Sequence, residues 1–313
     1  MRVVFCGTPE FGIPTLRLLL AGAEYKVLGV ITQPDRPRGR GMVAGESPVK
    51  QLARHAGLEV CQPEKIRDSE AQSWLAAKAP DVVVLIAYGQ IIPAGLLTIP
   101  RLGWINLHAS LLPKYRGAAP IAWAIANGET RTGITTMQID AGMDTGAMLL
   151  RHEMEIGPSE TAPQLSARLA EAGAPLLTET LEGLERGTLR GEPQDHSLAT
   201  YAPLLKREDG RIQWFTPARQ IYNRCRGFDP WPGTFAEFRG SRLRLWGRPF
   251  PEERALADAP APGILRQIGS TLLAACGEST WLEITELQPE GRKRMRTAEF
   301  LAGARLTRDE RLG

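Results

Sequence analysis

Three polar residues stand two apart in the otherwise apolar stretch GWINLHAS, residues 103–110: Asn106, His108 and Ser110. Side chains alternate faces along a strand, so these three share one face while Ile105, Leu107 and Ala109 share the other. Polar groups set among Trp104, Leu111 and Leu112 need partners or a task. A serine nucleophile is excluded: residues two apart on a strand have Cα atoms ~6.6 Å apart and parallel side chains, and no G-x-S-x-G elbow surrounds Ser110. The second group of chemistry-bearing residues is QIDAGMDTGAML, 138–149, whose D-x-G-x-D-x-G spacing describes a sharp loop. An EF-hand-like loop starting at Asp140 needs a glutamate where Arg151 stands, and no His or Cys lies nearby, so no metal is expected. The loop is expected instead to deliver one carboxylate, that of Asp144. An amide, an imidazole and a carboxylate suit direct acyl transfer. Asn106 would hydrogen-bond a developing oxyanion, an interaction worth ~2.7–4 kcal/mol in a closed site. His108 would help place that charge and move protons, while Asp144 fixes its tautomer and stabilises its charged form.

These groups need elements to hold them. The first half alternates strand and helix signals, which predicts an α/β fold with a parallel sheet and crossover helices. RVVFCG (2–7), KVLGVIT (26–32), LEVCQP, DVVVLIAYG (81–89) and GWINLHAS read as strands. SPVKQLARHAG (47–57) reads as a helix opened by Ser and Pro and stopped by Gly57. Further helices are expected after Pro9, in SEAQSWLAAKA, from about Pro120 to Asn127 and over about 159–187. In an open α/β sheet ligands gather outside the carboxyl ends of the strands, where the Asp144 loop and the loop after Ser110 are both expected. The first turn, GTPEFG, is neither G-x-G-x-x-G nor a P-loop, so a nucleotide-phosphate cradle is excluded there.

At 313 residues, two domains are expected. Periodicity fails over 189–205, which reads as a linker between a domain at 1–188 and a smaller one at 206–313. The latter holds short β-like runs broken by Gly and Pro, as in a small barrel or sandwich, with ARQIYNRCRGF as one helix packed against it. Residues 1–203 carry 19 Lys/Arg against 21 Asp/Glu, and residues 204–313 carry 19 against 14. The excess of base in the second part is consistent with an oligonucleotide-binding barrel and a polyanionic partner. The four cysteines are scattered without a C-x-x-C pair, arguing against zinc and disulfides. No leader or apolar run of ~20 residues is found, so a cytoplasmic protein without a membrane partner is expected. His55, His152 and His196 lack polar company and read as surface groups.

NLHASLLPKYRGAAPI and GITTMQIDAGMDTGAML strongly resemble the formyltransferases that use 10-formyltetrahydrofolate. The resemblance implies a Rossmann-like formyltransferase domain with a mostly parallel sheet, followed by an oligonucleotide-binding-like β-barrel that binds tRNA. It places the family's catalytic trio on Asn106, His108 and Asp144. It places folate contacts on Ser110, Leu111, Leu112 and Pro113 and, through the backbone of VVVLIAYGQIIP, on Ala87, Tyr88 and Gly89. FCGTPEFGIPTL, VITQPDRPRGRG, SPVK, YGQIIP and FDPWPGTF extend the likeness nearly end to end, to those family members that formylate initiator methionyl-tRNA for translation initiation. That implies passage of the formyl group from the folate to the methionine α-amine without a covalent enzyme intermediate; a monomer is expected. The resemblance also carries the loop 32–50 into the tRNA acceptor arm. There Arg36, Arg38 and Arg40 supply guanidinium forks for phosphates, while Met42 and Val43 replace the family's lysines. Lys206, Arg207 and EGRKRMR (290–296) are further candidate backbone contacts. Two other readings stay open: a formyltransferase for a small amine such as an amino-sugar nucleotide, and a non-catalytic tRNA-binding protein.

Overall fold

The run RVVFCG forms the central strand of the first sheet because Val3, Val4, Phe5 and Cys6 are all wholly buried, as suits a strand covered on both faces. The computed structural model describes residues 1–38, 43–251, 260–307 and 310–313. These fall into two units: one of Met1–Pro120, Arg131–Glu155 and Gln164–Pro203, the other of Ile121–Thr130, Ile156–Pro163 and Leu204–Gly313.

In chain order the elements up to residue 185 are β1 (Arg2–Gly7), α1 (Ile13–Ala21), β2 (Lys26–Ile31), β3 (Arg36–Arg38), β4 (Val43–Gly45), α2 (Pro48–His55), β5 (Val60–Cys61), α3 (Ser69–Lys78), β6 (Val82–Ile86), α4 (Ala94–Leu97), β7 (Trp104–His108), α5 (Pro120–Ala126), β8 (Arg131–Gln138), β9 (Met148–Glu155) and α6 (Ala162–Glu185). The main sheet has the order β5-β2-β1-β6-β7-β8-β9. Its first five strands are parallel, while β8 and β9 run antiparallel to their neighbours. The mostly parallel α/β sheet is therefore as expected. At α2 the local signals act as read: Ser47 Oγ accepts the Lys50 N–H at 3.1 Å and Pro48 opens the first turn. The arginine-rich loop also holds a short β3–β4 hairpin that no local signal marked, in which Arg36 pairs with Gly45 and Arg38 with Val43.

The second unit contains α7 (Ala218–Gly227), β10 (Phe235–Phe238), β11 (Ser241–Pro249), β12 (Leu265–Ile268), β13 (Thr271–Ala275), β14 (Trp281–Pro289), β15 (Met295–Arg296) and α8 (Thr297–Gly303). Its antiparallel sheet has the order β10-β11-β14-β13-β12, with β15 on β14. The edges of this sheet do not pair with each other. Instead residues 310–313 bridge them: Gly313 and Glu237 exchange two backbone hydrogen bonds of 2.9 Å, and Leu265 N–H donates to the Glu310 carbonyl at 2.8 Å. Leu312 is buried in the same core as Leu243, Leu245 and Ile284. The closure is pinned by Arg239, whose fork donates to Glu310 at 2.9 and 2.6 Å. Hydrogen bonds from Arg239 hold the Glu310 carboxyl down to about 2. No described helix is long and apolar enough to cross a membrane.

The two units differ from the domain bounds expected along the chain. Ile121–Thr130 is grouped with the second unit, where Trp123 meets Phe228 edge-on at 5.3 Å. Residues 189–203 are grouped with the first. They lack periodicity because their order comes from hydrogen bonds to another loop, described next, and not from a local repeat.

Candidate active site

β7 holds Asn106 and His108 on one face, both buried at 7% and 6% exposure. The other face packs on α6 through Leu107, and the approach is so close that a Cβ on Gly173 would stand 2.7 Å from Leu107 Cδ2. Ser110 lies beyond the strand and does not extend the row. Its hydroxyl donates to the Lys114 carbonyl at 2.6 Å, and its carbonyl accepts from Thr135 Oγ1 at 2.7 Å, so it shapes the following turn.

Asp144 arrives from the opposite end to the one expected. Because β8 runs antiparallel to β7, the segment after Gln138 departs beside Trp104, where Ile139 N–H donates to the Trp104 carbonyl at 2.9 Å. The loop turns back along the sheet to reach Asn106 and His108. Asp140 braces this turn, its Oδ1 accepting from Gly142 N–H at 3.0 Å and Thr145 Oγ1 at 2.7 Å. Asp144 sits in the left-handed region at φ 53°, a conformation that costs a non-glycine residue roughly 1–2 kcal/mol. Its Oδ2 accepts the Gly117 N–H at 2.8 Å, its Oδ1 lies 3.5 Å from Asn106 Nδ2, and His108 Nδ1 stands 3.7 Å from Oδ2. Residues from three separate segments thus converge.

The other ring nitrogen of His108, Nε2, is 2.9 Å from the Tyr115 carbonyl. A carbonyl only accepts, so Nε2 carries a proton, and in the neutral ring the Nδ1 lone pair faces Asp144. The tautomer is therefore set by Tyr115 and not by Asp144. At 3.7 Å the two do not hydrogen-bond each other, which leaves both able to accept from a donor seated beside them.

Tyr115 and Gly117 are themselves held by residues 189–203. Tyr115 N–H donates to Thr200 Oγ1 at 2.9 Å, Arg116 N–H to the Thr200 carbonyl at 2.8 Å, and Ala202 N–H to the Arg116 carbonyl at 2.7 Å. Gly117 has φ 117°, and a Cβ there would stand 2.7 Å from the Ala202 carbonyl oxygen, so a side chain is excluded twice over. Arg116, 2% exposed, directs its fork to Gln194 and also meets His196 Nδ1 at 3.1 Å. The partner of His196 was not legible from its own surroundings in the chain.

The expected folate residues divide. Strand order reverses between β1 and β6, and register pairs Leu85 with Asn106, so Ala87–Gly89 follow β6 on the same side as His108. Ala87 and Gly89 are exposed in left-handed backbone at φ 50° and 88°, whereas Tyr88 is buried and its carbonyl accepts from Gln33 Nε2 at 3.0 Å. Leu111 and Pro113 are half-buried, and Leu112 is buried with Met137 and Met148. Of the three loop arginines, Arg36 is exposed, Arg38 follows on the hairpin, and Arg40 lies outside the described residues.

The second unit carries a basic face. Arg242 and Arg244 alternate on β11, so they share a face, and with Arg207 and Trp231 they line a cavity of about 270 Å³. Arg242 lies 3.8 Å over the Phe235 ring; Arg244 and Arg294 lie 5.2 and 3.9 Å over Trp246. Burial, then the neighbouring charges of Arg207 and Arg244, push the Arg242 guanidinium below its ordinary value. Trp231 is 60% exposed. Strand pairing, and not any local run of base, assembles this face.

The model of the family described as Formyl transferase matches residues 1–181, and that described as Formyl transferase, C-terminal domain, matches 204–305. A methionyl-tRNA formyltransferase of Acidobacterium capsulatum is 54% identical over all of both chains, and that of Geobacter sulfurreducens 48% over all of this chain and 97% of its own. Among solved structures, the sugar 3N-formyl transferase WlaRD has the same fold with a TM-score of 0.63 at 14% identity, over 94% of this chain and 99% of its own. HypX from Aquifex aeolicus, solved with tetrahydrofolic acid, gives 0.61 at 16% over 96% of this chain and 47% of its own. Matched in both of its parts by the family's models and from end to end by curated members, the chain belongs to the formyl transferase family.

Proposed function

We propose that this enzyme moves the formyl group of 10-formyltetrahydrofolate to the α-amine of methionine on initiator methionyl-tRNA, with Asn106, His108 and Asp144 as its catalytic residues. The observation that carries the reading is the convergence of these three groups, 3.5 and 3.7 Å apart, on an end-to-end relative of methionyl-tRNA formyltransferases. The folate supplies the formyl group. Exposed backbone at Ala87 and Gly89 fits the polar edge of a pterin, and half-buried Leu111 and Pro113 fit its apolar face.

The amide of Asn106 keeps N–H capacity beyond its bond to Asp144 and stabilises charge developing on the formyl oxygen. An α-amino group titrates near ~7.7–8.0, so much of it is cationic at neutral pH and must lose a proton before it attacks. With Nε2 committed to Tyr115, Nδ1 of His108 is the ring atom left to accept a proton, and it faces the Asp144 carboxylate across the gap. An amine seated beside this pair can donate to both acceptors. On the barrel, guanidinium groups stacked on aromatic rings beside an exposed tryptophan are the surface expected to follow a phosphate backbone and stack on bases. Arg36, exposed on the hairpin, adds base there.

The test is a formyl-transfer assay with labelled donor, comparing initiator methionyl-tRNA with small amines that include an amino-sugar nucleotide. Transfer to the tRNA is expected. Transfer to the sugar nucleotide alone would overturn the acceptor, and tRNA binding without any transfer would overturn the enzyme.

A further inference from the structure

We infer that Gln194 is a positioning residue for Asp144, acting through the backbone of the loop that carries it; the inference rests on the role proposed above for the Asp144 carboxylate. The Gln194 side chain is 6% exposed and its polar atoms are all engaged. Nε2 donates to the carbonyls of Asp144 at 2.9 Å and Gly146 at 2.8 Å. Oε1 accepts from Nε and Nη2 of Arg116 at 3.0 and 2.6 Å. The amide orientation is forced, because a guanidinium only donates and a carbonyl only accepts.

Gln194 therefore grips the backbone on both sides of Thr145, across the left-handed turn that aims the Asp144 side chain. It touches none of the three proposed catalytic groups. Arg116 ties this grip to the opposite wall of the site. Its neighbour Tyr115 holds His108 Nε2, and its other neighbour Gly117 donates to Asp144 Oδ2. One buried network thus fixes both edges of the 3.7 Å gap between imidazole and carboxylate. Loosening it by about 1 Å is expected to cost on the order of 100-fold in turnover.

Gln194 could alternatively serve only to satisfy the buried Arg116, and two variants separate the roles. Gln194→Glu keeps an acceptor for Arg116 but sets a carboxylate oxygen against the two loop carbonyls. Gln194→Leu removes both sets of bonds. Positioning predicts that kcat falls about 10- to 100-fold in each, with KM for donor and tRNA within about threefold of wild type. Recovery of kcat to within about twofold of wild type in Gln194→Glu, with Gln194→Leu impaired, would assign the residue to Arg116 alone and overturn the inference; so would near-normal kcat in Gln194→Leu. Should a single variant fail to fold around an orphaned guanidinium, Arg116→Met combined with Gln194→Leu removes both partners together. A folded double variant with lowered kcat supports positioning, and one with wild-type kcat refutes it. A wild-type enzyme unable to formylate methionyl-tRNA, or a fully active Asp144→Asn, would instead defeat the functional reading.

Discussion

Arginine serves opposite purposes in the two units. In the first, Arg116 is 2% exposed and its Nε and Nη2 are directed at Gln194 and His196. In the second, Arg242 lies on an aromatic ring beside the like charges of Arg207 and Arg244, in a cavity shared with the exposed Trp231. A buried guanidinium without partners would be severely destabilising, so the first arrangement must be completed within the protein and can organise a site. The second leaves like charges together at a surface, a state that an incoming polyanion relieves by releasing its counterions. The contrast separates groups whose geometry matters from groups whose charge matters. Substitutions should divide along the same line.

The largest effect is expected at the trio. Asn106→Ala, His108→Ala and Asp144→Asn should each lower kcat by ~10²–10³ with unfolding temperature little changed, measured by steady-state formyl transfer beside calorimetry. A near-normal variant would remove that residue from the mechanism.

Gly117→Ala comes next. It forces a side chain into a left-handed backbone against the Ala202 carbonyl and displaces the N–H that Asp144 accepts. A stability loss of roughly 1–3 kcal/mol by denaturant titration and a loss in kcat of about tenfold are expected. An unchanged enzyme would show the site to be more compliant than its contacts imply.

On the charged face, Arg242→Ala with Arg244→Ala should raise KM for methionyl-tRNA about tenfold at low salt and reduce the log–log salt slope by about 1–2. KM for the formyl donor should stay constant; equal changes in both would dissolve the distinction between the two faces.

The smallest effect concerns barrel closure. Glu310 has its carboxyl lowered to about 2 by Arg239, against ~4.3 for an unpaired glutamate. A depressed folded value means that the stabilisation is fully present above the unfolded value and is lost as pH falls toward the folded one. Glu310→Gln should therefore lower the unfolding temperature modestly at pH 7, and the gap to wild type should narrow as pH falls below ~4.3. A gap independent of pH would show that the pair contributes through packing alone.

Much of the fold was legible because it is written in local signals. Alternation and apolar runs marked β1, β2, β6 and β7, and Ser47 with Pro48 marked the start of α2. The trio was legible as residue types, since an amide and an imidazole two apart in an apolar strand stand out against their neighbours. Gln194 carried no such signal: it lies in a stretch without periodicity, and its partners are 48 to 78 residues away. The basic face was hidden for a related reason, because Arg207, Arg242 and Arg244 read as ordinary surface cations until β11 places two of them on one side.

By itself the sequence determined the alternating parallel strands and helices of the first half, the composition of the site and the basic second half, because those follow from side-chain period, capping chemistry and charge. Tertiary structure alone decided that the Asp144 loop enters from the far end of β7, that a carbonyl at Tyr115 sets the proton on His108, and that residues 310–313 close the barrel. Each of these depends on strand direction or on a backbone group brought in from elsewhere in the chain, and the peptide backbone presents the same N–H and C=O at nearly every position until folding selects which of them meet.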